Sequence, residues 1–282
     1  MTASSPPPSL PQRKGMPINS DLKEVRSYRN FASFRTIGAL VLREVQTSSS
    51  RTTGGFVWAI LEPVGGILLL TLIFSAGFRT PPIGSNFAIF YATGVVPFMA
   101  YMDISNKVAS TIKSSKGLLA YPAVTFMDVI LARIIFNTVT QFIVASIIFI
   151  GTIVAMDTRT DPQVESIAVG FLMYILFSFA IGSLNCFLFE AFSWWQPVWG
   201  ILMRPLFLLS CIFFIYDDVP DLYKDWLWWN PLVHIIGQMR HAFYPSYVGD
   251  YISYTYVFSV SLCLLALGLI FLIRYHRDLQ NS

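Results

Sequence analysis

Six long apolar runs are the feature that most constrains how this chain can fold. They occupy approximately residues 56–78, 87–110, 124–155, 167–189, 198–216 and 254–273. A helix needs about 20 apolar residues to cross a bilayer, where its backbone polar groups must be paired internally. Only 12% of the 282 residues are charged, about half the usual fraction in soluble domains. The sequence therefore predicts an all-α polytopic membrane protein with six transmembrane helices.

The segment before the first run has the periodicity of an amphipathic helix. Apolar residues recur at three- and four-residue steps on one face, at Phe34, Ile37, Val41 and Val45. Such a helix can pack on a soluble domain, but directly before a membrane span it is suited to lie on the membrane surface. We predict an amphipathic interface helix over 31–50, preceded by a disordered cytoplasmic tail over 1–30.

A seventh apolar segment, 226–246, is too interrupted to span a membrane. It is broken by Pro231, Gly237 and Pro245, and it carries Arg240. Irregular backbone at membrane depth is tolerated only where protein or a water-filled cavity covers it. We predict re-entrant helices before the last span, within a transmembrane domain over 51–282 whose re-entrant part is about 219–246.

The distribution of Lys and Arg predicts the orientation. Eight of them lie before residue 56, and others flank the second loop and the C-terminus. The loops expected on the opposite side are acidic instead, at Asp157, Asp161, Glu165, Asp217, Asp218, Asp221, Asp225 and Asp250. By the positive-inside rule, both termini are predicted to be cytoplasmic.

No motif for catalysis, metal binding or cofactor binding is present. The chain contains no G-x-x-x-x-G-K loop, no H-E-x-x-H and no G-x-S-x-G. Its three cysteines lie in apolar runs without C-x-x-C spacing. We therefore expect no catalytic residue, metal or cofactor in this chain, no nucleic-acid partner, and no ATP hydrolysis by the chain alone.

The ionisable residues within the apolar runs argue against a secondary carrier without excluding one. They are expected near the cytoplasmic ends of the spans, whereas carriers usually place such groups near the midplane. Each can also be read as an interfacial side chain that extends to the head groups. The residues concerned are Glu62, Asp103, Asp128, Arg133 and Arg204.

The loop over 106–122 is short, basic and predicted to be cytoplasmic. It contains a predicted helix of one or two turns from Ala109, so it can dock on a cytoplasmic partner or simply be a solvated positive loop. The candidate coupling residues in it are Lys113, Lys116, Gly117 and Tyr121.

Two further residue sets are candidates for contact with a substrate. Arginines on or just after the surface helix, Arg35, Arg43 and Arg51, suit phosphate or carboxylate groups, although anchoring to anionic lipid explains them as well. Aromatic side chains can stack on sugars, although aromatic belts at lipid head groups are the simpler explanation. The candidate conduit residues are Trp58, Tyr91, Phe98, Tyr101, Trp226, Trp228, Trp229 and Tyr244, together with Arg240.

Three ordered motifs resemble the membrane subunit of ABC-2 type exporters, most closely the capsular polysaccharide permeases of Gram-negative bacteria. They are the Arg51 to Glu62-Pro63 stretch, Gly117 to Pro122, and the C-terminal set from Arg204 to Phe214, Val219-Pro220, Trp229 to His234 and Arg240. The similarity covers about residues 31–277. Cys211 departs from it, because relatives commonly have Gly there, and so does the Pro-rich tail.

The resemblance implies a homodimer joined to two ATPase subunits, which bind ATP and Mg, in the bacterial inner membrane. It also implies a periplasmic adaptor, an outer-membrane channel and a lipid-linked, usually acidic polysaccharide as substrate. The alternatives are a permease for O-antigen or teichoic acid, a secondary carrier, and an integral-membrane sugar transferase.

Overall fold

Helices are the only regular secondary structure among the residues that the structure, a computed structural model, describes. It describes the backbone of 32–51, 55–119 and 124–281, and the side chains of 34–47, 57–118 and 124–275. The predicted tail, Tyr121 and the side chain of Arg51 lie outside these ranges. The helices are α1 Ala32–Arg51, α2 Gly55–Gly77, α3 Phe87–Ala109, α4 Thr111–Leu119, α5 Phe126–Ala155, α6 Val164–Ala191, α7 Trp195–Leu208, α8 Asp221–Trp228, α9 Pro231–Phe243 and α10 Tyr254–Asn281, with a 3-10 turn at Tyr216–Asp218.

Helices α3 and α6 form the centre of the bundle. They pack on each other, and around them lie α2, α5, α9 and α10. Contact between α6 and α10 is so close that a Cβ atom at Gly268 would lie 2.7 Å from the backbone nitrogen of Leu184. In its most apolar window α3 is 78% buried, whereas α2 is only 11% buried. The apolar surface of α2 is therefore left for lipid or for another protein chain.

The bundle has two ends, which we name after the short helices that mark them. At the α4 end, α1 packs through Leu40 on Val129 and Ala132 of α5. At the α8 end, the Tyr256 hydroxyl near the start of α10 donates a 2.7 Å hydrogen bond to the carbonyl of Trp229. Six of the described helices start at one end and run toward the other: α2, α3, α5, α6, α7 and α10.

Five helices of the described chain are long and apolar enough to cross a membrane: α2, α3, α5, α6 and the described part of α10. The predicted helical span over 198–216 is wrong beyond Leu208, because α7 has only 14 residues. A helix of that length extends about 21 Å, less than the hydrocarbon thickness. Phe207, near its end, contacts Phe98 in the middle of α3. Non-helical chain over 209–215 continues from there toward the α8 end.

The segment predicted to be re-entrant contains two short helices, α8 and α9. They have 8 and 13 residues, and both are too short to cross a bilayer. The break between them falls at Asn230, whose side-chain oxygen accepts a hydrogen bond from the amide of Leu232 at 3.1 Å. This N-cap and Pro231 at the first helical position begin α9. Re-entry into the membrane stays a prediction.

The surface helix α1 presents three faces rather than the two that the sequence predicts: an apolar face covered by protein, an exposed apolar face and an exposed polar face. Ile37, Leu40 and Val41 pack against α5 and the α4 region, so this part of the apolar stripe is covered by protein. Phe34 and Leu42 are exposed beside it. Helical periodicity alone cannot distinguish a face that meets lipid from one that meets protein.

Cys211 offers a test of the irregular segment. Its φ of 57° lies in the left-handed region, which costs a residue with a Cβ atom about 1–2 kcal/mol and costs glycine almost nothing. Its side chain is also buried. Because both variants lose the thiol but only Gly removes the Cβ penalty, we predict that Cys211→Gly has the higher melting temperature in detergent than Cys211→Ala. An Ala variant at least as stable as the Gly variant would contradict this conformation.

Candidate functional site

The irregular segment 209–215 is held by two polar side chains from the C-terminal motif. Arg240 donates hydrogen bonds to the carbonyls of Phe214 at 2.7 Å and Ile212 at 2.9 Å. Asn230 donates to the carbonyl of Leu209 at 3.1 Å. Non-helical carbonyls that leave the water phase need such partners. These two residues therefore allow a helix to end partway along the bundle.

Arg240 is fully buried, with 0% of its surface exposed. The guanidinium carbon lies 4.4 Å from the centre of the Phe90 ring. Its two terminal nitrogens bond the two carbonyls, whereas its Nε has no hydrogen-bond partner among the described residues. This environment of carbonyl dipoles and a π face stabilises a buried positive charge. Arg240 is thus placed to position the segment rather than to touch a substrate in this structure, contrary to what the sequence predicts.

The predicted conduit aromatics divide into exposed and buried sets. Trp58, Trp226 and Trp229 are 63%, 81% and 67% exposed. Trp228 is half-buried, and its indole nitrogen donates to the carbonyl of Tyr251 at 3.2 Å. The remaining predicted residues are buried: Tyr91, Phe98 and Tyr101, which contact other aromatic rings, and Tyr244. Only the exposed set is available to a molecule that moves past the chain.

Trp226 and Trp229 line an apolar groove of about 740 Å³ at the α8 end. Its other walls include Leu209 and Phe214 of the irregular segment. The tryptophans are candidates from the sequence but this wall is not, because an apolar run gives no sign of where its helix ends. The clamp made by Arg240 and Asn230 thus shapes the groove directly.

The rim of this end is acidic. Asp218 lines the groove, and Asp217, Asp221 and Asp225 lie on the same 3-10 turn and α8. Lys224 is the basic residue of α8, and its 2.9 Å hydrogen bond to Asp221 raises the pKa of its ammonium group. The excess of carboxylates gives the rim a net negative charge.

Toward the α4 end, polar side chains line a cavity of about 240 Å³ between α2, α3 and α5. Asp103 accepts hydrogen bonds from Gln141 at 2.6 Å and from Lys107 at 2.8 Å. Glu62 of the Glu-Pro motif lines the same cavity. The three charged residues and Gln141 therefore form one polar group between largely apolar helices.

Lys107 also lines a second cavity, of about 430 Å³, beside α7. Gln196 and Trp199 form part of its wall, and the indole nitrogen of Trp199 has no hydrogen-bond partner. The sequence reasoning did not select Gln141, Gln196 or Trp199 as site residues. Amide side chains in or beside apolar runs were the signal that it passed over.

The predicted coupling element has two distinct faces. Thr111, Ile112 and Ser115 of α4 are buried against the bundle. Lys113, Lys116 and Gly117 are exposed on the other side, with the Lys116 ammonium 3.8 Å from Glu190 of α6. The described part of α4 thus presents a basic surface on one face while its opposite face is buried against the bundle.

The predicted entrance arginines are described only in part. Arg35 and Arg43 are exposed on α1, and the side chain of Arg51 lies outside the described residues. An exposed guanidinium suits either a lipid head group or an anionic substrate. The structure therefore leaves both alternatives for Arg35 and Arg43 standing.

The described residues thus combine apolar helices of membrane-spanning length, two cavities lined in part by polar side chains, and a short helix with an exposed basic surface. Among the described residues, no three His, Cys, Asp or Glu side chains are grouped to hold a metal ion. The chain belongs to the ABC-2 type transporter family, whose model matches residues 35–244.

Curated relatives align with most of the chain. The polysialic acid transport protein KpsM of Escherichia coli is 31% identical over 234 residues, which are 83% of this chain and 91% of KpsM. The capsule polysaccharide export inner-membrane protein BexB of Haemophilus influenzae is 26% identical, over 87% of this chain and 93% of BexB. CtrC of Neisseria meningitidis, with the same description, is 25% identical over the same shares.

Proposed function

We propose that this chain is the permease subunit of an ATP-driven exporter for a lipid-linked, acidic capsular polysaccharide. The observation that carries the proposal is the similarity, over more than four-fifths of the chain, to three proteins named for polysialic acid transport or capsule export. The chain works as a homodimer with two ATPase subunits, a periplasmic adaptor and an outer-membrane channel. It lies in the inner membrane with both termini cytoplasmic.

The proposed orientation places the α4 end in the cytoplasm. That end carries the basic residues Lys107, Lys113 and Lys116, and the α8 end carries the aspartates of the groove rim. This asymmetry agrees with the positive-inside rule. Six crossings bring both termini to one side if α7 and the irregular segment together complete the fifth.

The apolar surfaces of α2 and α7 support a homodimer with the conduit between two copies. Leu68, Leu72 and Trp58 are exposed on α2, and Ile201 and Leu208 on α7. Faces that carry aromatic side chains as well as aliphatic ones suit a conduit wall. In this arrangement the buried Tyr91, Phe98, Tyr101 and Tyr244 support the wall without contacting the polysaccharide.

The cavity beside Lys107 is a suitable cytoplasmic entrance to that conduit. An ammonium group, an amide and an indole, from Lys107, Gln196 and Trp199, offer a charge partner, hydrogen bonds and a stacking face. An acidic sugar can use all three. Arg35 and Arg43, on the surface helix at the same end, would receive the anionic lipid-linked end of the substrate.

The groove at the α8 end suits an exit. Aromatic stacking contributes about 1–3 kcal/mol per ring where it is measured for nucleic-acid bases, and we expect no more for sugars. The acidic rim repels a polyanion. Weak contact combined with repulsion favours release, and an exported polymer must be released at the end of the conduit.

The test of this proposal is transport in proteoliposomes that contain the full chain and its partner ATPase. We expect ATP-dependent movement of a lipid-linked acidic glycan, with no ATP hydrolysis by the chain alone. Inserting Gly-Ser after Ser115, within α4, should leave ATP hydrolysis but uncouple it from export. The same insertion after the exposed Asp157, at the other end of the bundle, is the matched control.

Three results would contradict the proposal. Transport driven by an ion gradient without ATP would indicate a secondary carrier, and sugar transfer by the purified chain would indicate a transferase. Normal export by the variant with the insertion after Ser115 would remove α4 from coupling.

A separate prediction concerns the exit groove. Trp226→Ala and Trp229→Ala should each slow export about fivefold, the factor equivalent to about 1 kcal/mol at the lower end of the range for one stacking ring, without reducing ATP hydrolysis. Leu222→Ala is the matched control, because Leu222 is 76% exposed on the same helix as Trp226 but does not line the groove. Equal effects of all three changes on export would assign the tryptophans to lipid anchoring.

A further inference from the structure

One arginine on α5 joins four helices at the α4 end. The Arg133 guanidinium lies 3.1 Å from the Glu44 carboxylate of α1. It also donates hydrogen bonds to the Ser114 hydroxyl of α4 at 2.7 Å and to the Lys107 carbonyl of α3 at 3.2 Å. The Arg133 side chain is only 11% exposed, whereas its partners Glu44 and Ser114 are partly accessible to water.

The two ends of the guanidinium fork serve different helices. One terminal nitrogen faces Glu44, and the other bonds Ser114 and the last turn of α3. Because a guanidinium is rigid and planar, the position of one contact fixes the direction of the other. A lysine at this position would offer a single ammonium group and could not fix both directions.

The contacts join the helix that we propose for coupling to the ATPase, α4, to the helix that we propose for receiving the substrate, α1. Helix α4 exposes Lys113 and Lys116 for a partner, and α1 exposes Arg35 and Arg43 at the membrane surface. Leu40 already packs on α5 beside Arg133, next to Val129 and Ala132. These contacts provide a continuous route from α4 through Ser114 and Arg133 to Glu44 and α1.

We infer that Arg133 is a positioning residue that couples α4 to the surface helix, so that movement imposed on α4 by the ATPase also moves the helix at the substrate entrance. This inference rests on the proposed function for its role in export. The geometric part, a fixed spacing between α1 and α4, is independent of that function and can be measured separately.

The first experiment measures that spacing in the full-length chain in lipid nanodiscs. Spin labels at Ala39 of α1 and Lys113 of α4, both exposed, report the distance between the helices after the native cysteines are replaced. We expect a narrow distribution in the parent and about a twofold broader one in Arg133→Gln. An unchanged distribution in Arg133→Gln would overturn the inference, whether or not the complex exports any glycan.

The second experiment asks whether both contacts act through Arg133. Glu44→Gln and Ser114→Ala should each lower the glycan exported per ATP about two- to fivefold, as expected for one partly exposed charged contact. Neither should lower it further in an Arg133→Gln background. Ser146→Ala is the control, because the Ser146 hydroxyl bonds the Phe142 carbonyl within the same helix, α5, and does not touch Arg133.

Arg133→Lys separates positioning from charge. It keeps the attraction to Glu44 but loses the fork, so export per ATP should fall while the amount of protein in the membrane stays at the parental level. Additive effects in the Arg133→Gln background, or full activity of Arg133→Lys, would contradict the inference. Absence of export by the parent complex would contradict the proposed function instead, and the distance measurement would still decide the role of Arg133.

Discussion

The backbone of 209–215 must be hydrogen-bonded without the help of a helix, and the α8 end of the bundle depends on how this is achieved. Arg240 and Asn230 supply the donors from a part of the chain about two dozen residues away. Leaving a buried carbonyl unpaired costs about 1–3 kcal/mol, so the loss of two such bonds would remove a large fraction of the roughly 5–15 kcal/mol by which most proteins are stable. The burial of this charge, usually unfavourable, is offset in part by the two carbonyl dipoles and by the face of the Phe90 ring.

This clamp explains why the C-terminal motif combines residues of such different kinds. Asn230 both caps α9 and holds the start of the irregular segment, while Arg240 on α9 holds its middle. The left-handed conformation of Cys211 lies between these attachment points. The groove that we propose as the exit is thus a consequence of backbone pairing. At the opposite end, Arg133 has a comparable task between helices that are separate in sequence.

The long helices could be predicted from the sequence because each apolar run has nearly the same bounds as the helix it forms. Helix α7 could not, since the run over 198–216 remains apolar past Leu208, where the helix stops, and the donors that permit this lie far along the chain. The face of α1 that packs on α5 was missed for a related reason. An apolar residue such as Leu40 can be buried against either lipid or protein, and the sequence does not distinguish the two. Arg240 was predicted to touch a substrate because the sequence shows no partner for its charge. Its partners are backbone carbonyls of an apolar run, and no polar side chain in that run indicates them.

Labelling of the native Cys211 thiol tests the central claim most directly, because Cys211 is buried within the segment that Arg240 holds. With Cys186 and Cys263 replaced by alanine, the full chain in lipid should react slowly with a small maleimide. In the same background, Arg240→Met, which keeps a long apolar side chain but has no donor, should make Cys211 react readily. If Cys211 is equally protected in both proteins, the pairing of Arg240 with the irregular segment is not what holds this end of the bundle.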